Sequence, residues 1–203
     1  MRRYLRSILI LTLVVTIAWA QETHSTRDFT PTQLIDQFWK LATQGDLLTA
    51  NGWERARGFY SHSTPPPVSK SIDVVSNVWG PASQKSLDGE IAVVVIGFDD
   101  AGHIDENLKY IAPKETGAVK TGRLYHLVFA PTKFETYKSD GKNLVVDKTI
   151  VGPKAWQIED KPGAPFTTVN SAIRYVLEMR KKSNDPNVIR NADTTIEKLL
   201  RLN

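Results

Sequence analysis

The stretch Ile91-Ala92-Val93-Val94-Val95-Ile96-Gly97-Phe98-Asp99-Asp100-Ala101-Gly102-His103-Ile104 decides the fold class. Eight residues, nearly all apolar and rich in β-branched side chains, are too few for a buried helix and suit a strand covered on both faces. Asp99-Asp100-Ala101-Gly102 reads as a hairpin turn, returning the chain through a strand at 104–111. Period-two segments flank this stretch on both sides. Upstream, Ile72, Val74, Ser76 and Val78 alternate with Asp73, Val75, Asn77 and Trp79, and Gly80-Pro81 is expected to stop the strand. Downstream, residues 122–130 place Leu124, His126 and Val128 on one face and Tyr125, Leu127 and Phe129 on the other. Residues 134–137 and 144–151 flank Asp140-Gly141, a strong turn dipeptide, and 155–159 form a last short strand.

Beyond the strands the period changes to 3.6. Thr30-Pro31-Thr32-Gln33 carries a cap, a first-turn proline and a capping-box partner, with Leu34, Ile35, Phe38, Trp39, Leu41 and Ala42 at helical spacing up to Gly45. A second helix is expected over 50–59, with Trp53, Ala56, Phe59 and Tyr60 inward. Thr64-Pro65-Pro66-Pro67 must then run as an extended connector. At the carboxy end Thr168 caps a helix with Val169, Ala172, Ile173, Val176 and Leu177 in one stripe, and Asp185-Pro186 opens another with Val188, Ile189, Ala192, Ile196, Leu199 and Leu200. The expected class is α+β: N-terminal helices packed on a curved antiparallel sheet, cone-like, with a C-terminal helical hairpin on the sheet's exposed face.

The amino terminus reads as an address. Arg2, Arg3 and Arg6 precede an apolar stretch from Ile8 to Trp19, and Ala18-Trp19-Ala20 before Gln21 fits a small-x-small cleavage site. About a dozen apolar residues fall short of the roughly 20 needed for a spanning helix. The expected organisation is a signal peptide over 1–20, a polar lead-in over 21–29, the cone-like domain over 30–166 and the helical hairpin over 167–203. The product is expected to be secreted or periplasmic, with no transmembrane segment in the mature chain. Zero cysteines leave no disulfide, thiolate metal site or lipid-modified cysteine, and no Asn-x-Ser/Thr site occurs.

The chain carries 26 Lys+Arg against 22 Asp+Glu. Loss of Arg2, Arg3 and Arg6 with the leader leaves 23 against 22, which is no basic field and argues against nucleic acid.

The run Phe38-Trp39-Lys40-Leu41-Ala42-Thr43-Gln44-Gly45-Asp46 and the run Lys154-Ala155-Trp156-Gln157-Ile158-Glu159, with the order helices, strand, antiparallel meander, resemble the nuclear-transport-factor-two-like superfamily over residues 30–160. That superfamily includes ketosteroid isomerases and polyketide cyclases. The resemblance implies a pocket between sheet and helices, used by isomerases and by pure binding or dimerisation modules alike. The isomerases' aspartate base, tyrosine and protonated acid have no residue-by-residue counterpart here, and the helical hairpin departs from the basic pattern.

Three clusters invite chemistry. Asp99, Asp100, His103, Asp105 and Glu106 could ligate a cation but fail the EF-hand pattern; the alternative is a solvated turn, and no metal site is assigned. His126 is the catalytic candidate if its face lines the pocket; otherwise it bonds a nearby acid such as Asp73 or Glu90. Trp39, Trp53, Trp79, Tyr110 and Trp156 either line a site for a small apolar ligand or fill the core. No nucleophile elbow, phosphate loop or dinucleotide fingerprint occurs, and no cofactor is implied. The expectation is an exported, non-catalytic module binding a small ligand or another protein, with a homodimer through the sheet. The alternatives are a small isomerase or cyclase, or an envelope docking protein acting through the helical hairpin.

Overall fold

The computed structural model describes residues 28–61, 70–114, 119–139 and 144–202. The expected signal peptide with its Ala18, Ala20 and Gln21 site, the proline connector at 64–67 and the Asp140-Gly141 turn lie outside them. Among the described residues the architecture is α+β: four helices and a six-stranded, mostly antiparallel open sheet.

Helix α1 (Pro31–Thr43) begins as its sequence requires. The Thr30 Oγ1 accepts from the Gln33 N–H at 3.3 Å, and Gln33 Oε1 accepts from the Thr30 N–H at 2.9 Å, a reciprocal pair that is worth about 1 kcal/mol. Gly45, at φ +90°, ends the segment. Helix α2 (Ala50–Ala56) is capped by Thr49 and passes into a 3₁₀ turn, Arg57–Phe59. Gly52 is obligatory there, because a Cβ would collide with the Asp46 carbonyl.

Strands β1 (Ser71–Asp88), β2 (Ile91–Asp105), β4 (Val119–Ser139) and β5 (Leu144–Ile158) form the antiparallel body. The short β3 (Tyr110–Ile111) pairs β2, and β6 (Phe166–Thr168) lies parallel to β1, giving the order β5-β4-β2-β1-β6.

Three local readings of the sequence need correction. Gly80-Pro81 does not stop β1. The pairing steps from Trp79↔Gly97 to Ser83↔Val95, so the extra residues bulge out, and Ala82 N–H is held by Asp36 Oδ1 at 2.7 Å. The bulge frees proline from the ladder hydrogen bond that it cannot make. Asp99–Gly102 is not a hairpin either. Strand β2 runs through it, with Gly102 at φ +95° absorbing a bulge opposite Asp73 and Val75. The reversal comes later, where Asp105 Oδ1 accepts from the N–H groups of Asn107 and Lys109, both at 2.9 Å. The stretches 144–151 and 155–159 form one strand, β5, with a register shift where it opposes Pro131 and Lys133.

Two cores result. The first gathers Leu34, Ile35, Phe38, Trp39, Trp53 and Phe59 from the N-terminal helices and 3₁₀ turn against Val94, Ile96, Tyr125, Leu127, Ile158 and Phe166. The second packs α3 (Val169–Lys182) and α4 (Pro186–Leu200), through Val169, Ala172, Val176, Ala192 and Leu199, onto Val74, Ala101, Ile104 and Tyr110. Adjacent Val74 and Val75 point to opposite sides of β1, each into a different core. Most of the hairpin's apolar stripes thus pack on the end of the sheet, but Leu177 and Leu200, expected in those stripes, stand exposed. Among the described residues no helix is long and apolar enough to cross a membrane.

Candidate functional site

Between α1, α2 and the inner face of the sheet lies a cavity of about 250 Å³. Period-two geometry builds its floor. In β4, Arg123, Tyr125 and Leu127 share the inward face, and Tyr125 and Leu127 are buried. Phe38 from α1, Trp53 from α2 and Tyr60 after the 3₁₀ turn supply the aromatic wall, and the connection 160–165 closes the rim with Asp160 and Lys161. Ring contacts hold the wall rigid: Phe38 meets Tyr60 edge-on at 5.6 Å and Tyr125 at 6.0 Å, and Trp53 lies 5.9 Å from Tyr60.

The Tyr125 hydroxyl is the best-defined polar group in this space. The Trp39 indole N–H donates to its oxygen at 2.9 Å, and Arg123 lines the same space. Burial is the main reason its pKa is pushed up to about 12, with Asp160 adding to the rise while Arg123 and Trp39 oppose it. Tyr60 is raised too, first by burial and then by Tyr125. Both phenols therefore stay protonated at neutral pH. Arg123 is fixed from two directions. Its Nη2 lies 3.3 Å from Asp73 Oδ2, and its plane lies over the Phe166 ring at 4.9 Å. Burial raises the Asp73 carboxyl above its ordinary value, against the pull of Arg123.

His126 stands on the opposite face of β4, with 54% of its side chain exposed, so it does not line the cavity. Its acid partner is Asp160 rather than Asp73 or Glu90. Nδ1 lies 2.9 Å from Asp160 Oδ1, and the His126 backbone N–H donates to Asp160 Oδ2 at 2.7 Å. Asp160 thus joins the outer histidine to the cavity rim.

The aromatic candidates separate. Trp53 lines the cavity, and Trp39 stands behind it as the support of Tyr125. Tyr110 belongs to the second core, where its hydroxyl donates to the Ala101 carbonyl at 2.6 Å. Trp156 packs at 5.4 Å on Phe129, and Trp79 lies on the outer face beneath the Lys120 ammonium, 4.3 Å from its ring centre. The acidic run after Phe98 serves the backbone. Asp100 accepts from Gly102 N–H at 2.8 Å, and Asp105 caps the following turn.

Sequence reasoning placed Tyr60 inward without assigning it to the site, and missed Arg123 and Asp160. The signal for Arg123 was present, because a cation two residues from Tyr125 and four from Leu127 must share their inward face. Compared with family models, curated proteins and solved structures, the chain gives no significant match in any of the three.

Proposed function

We propose that this chain is a binding module for a small, ring-shaped, largely apolar molecule, held in the cavity between the N-terminal helices and β4. The observation that carries the reading is the Tyr125 hydroxyl. Its oxygen accepts from the Trp39 indole, and its proton is left to donate. Among the described residues no acceptor takes that proton, so a ligand oxygen or nitrogen is its natural partner. The aromatic wall adds apolar area and stacking. A pocket in this position is also what a nuclear-transport-factor-two-like resemblance implies. Export through the amino-terminal address would place the module in the periplasm or outside the cell.

Native mass spectrometry of protein purified from its own host tests this. A bound mass should accompany the wild type and be lost in Leu47→Trp, which fills the cavity from its rim while thermal unfolding stays cooperative. No bound mass in the wild type, or equal retention in Leu47→Trp, contradicts the reading.

One observation favours an enzyme as the second reading. Asp160, hydrogen-bonded to His126, lines the same cavity as Tyr125, so a carboxylate base and a phenolic donor border one space, as a proton-transfer reaction requires. In that case Asp160→Asn would abolish turnover while leaving ligand binding within about twofold.

A further inference from the structure

Resting on the cavity reading above, we infer that the ligand is a single-ring aromatic carboxylate, its anionic group received by Arg123 and Tyr125 and its ring by Phe38, Trp53 and Tyr60.

The chemistry of the lining selects the anion. The Tyr125 oxygen accepts from Trp39, and its proton is left to donate. The Tyr60 phenol is held protonated by burial. Arg123 has five N–H groups and cannot accept; its contact to Asp73 leaves donors over, and its guanidinium lies 4.9 Å from the centre of the Phe166 ring. The charged residues of the lining are Arg123, Lys161 and Asp160. Asp160 is the anion among them, and each of its oxygens has one contact to the His126 ring or backbone. The charged lining is therefore positive by one, and Arg123, Lys161 and the two phenols supply its donors. A carboxylate supplies four acceptor sites and matches the planar fork of a guanidinium.

The size argues for one ring. About 250 Å³ lies below the roughly 300–1,000 Å³ of sites for drug-sized ligands. One aromatic ring with its carboxylate fits within that space.

Titration of the full chain with benzoate and its neutral isostere benzamide, followed by calorimetry, tests the inference. Benzoate is expected to bind at least about tenfold more tightly than benzamide. Arg123→Gln should cut that preference to about twofold with benzamide affinity unchanged, and Tyr125→Phe should reduce it less. If Arg123→Gln does not fold, Arg123→Lys keeps the cation without the fork and should lower the preference several-fold. Benzamide binding as well as benzoate, or a preference untouched by both Arg123 variants, overturns the anion while leaving the cavity reading standing. Binding of neither probe up to tens of millimolar also overturns it, and the retained mass in the Leu47→Trp comparison then decides the cavity reading separately.

Discussion

The Trp39 indole N–H donates to the Tyr125 hydroxyl at 2.9 Å across 86 residues of sequence, joining α1 to β4 directly behind the cavity. Both side chains are buried, at 2% and 5% exposure, so neither partner can be replaced by water without cost. Tyr125→Phe strands a buried indole N–H and should destabilise the fold by about 1–3 kcal/mol. Trp39→Phe removes the donor together with packing against Phe98 and Phe166 and should cost about 2–4 kcal/mol. A double-mutant cycle by urea unfolding should return a coupling of about 1 kcal/mol or more. A coupling of zero would separate the two residues energetically.

The raised Tyr125 pKa makes stability depend on alkaline pH. An unfolded tyrosine ionises near 10, and the folded group near 12. Below pH 10 both states hold the proton and stability is unaffected. Between about pH 10 and 12 the unfolded chain loses its proton first, so stability should fall by roughly 3 kcal/mol across that window. Tyr60 acts in the same direction. Chemical unfolding at pH 9 and at pH 11.5, in wild type and Tyr125→Phe, checks this. The variant should lose less stability over the interval than the wild type.

Two glycines in one short segment should respond in opposite ways to the same substitution. Gly52→Ala drives a methyl into the Asp46 carbonyl and should cost about 2–3 kcal/mol or more. Gly58 has open space around its Cβ position and an ordinary φ, so Gly58→Ala should be neutral or stabilise by up to about 1 kcal/mol. Thermal unfolding of the two variants side by side measures the contrast.

The second core has its own polar linchpin. Thr195 Oγ1 accepts from the Tyr110 N–H and donates to the Leu108 carbonyl, both at 2.8 Å and both buried. Thr195→Val keeps the volume and strands both backbone groups, at a cost of about 2–4 kcal/mol. Thr195→Ser keeps both bonds and should cost less than about 1.5 kcal/mol. Equal losses in the two variants, measured by denaturant unfolding, would show packing rather than hydrogen bonding to dominate there.

The sequence was most legible where the determinant is local. Thr30-Pro31-Thr32-Gln33 specifies a helix start within four residues, and Thr168 and Asp185-Pro186 do the same for α3 and α4. It was least legible at glycines inside strands. A glycine with positive φ can close a turn or absorb a bulge, and only the partner strand's register decides between them. Gly80 and Gly102 both went to bulges because β1 and β2 remain paired on either side. The site divides the same way. The alternation that places Tyr125 and Leu127 inward also places Arg123 inward and His126 outward. Asp160, by contrast, reaches the rim from a connection whose path depends on the parallel β6, which no local pattern announces.

The most direct test of the cavity as the binding site is an amide NMR titration of the full chain with benzoate. The account predicts shifts concentrated at Trp53, Tyr60, Arg123, Tyr125 and Asp160, saturating together with one dissociation constant. Shifts confined to the outer face around Trp79 and Lys120, with the cavity residues unmoved, would contradict it.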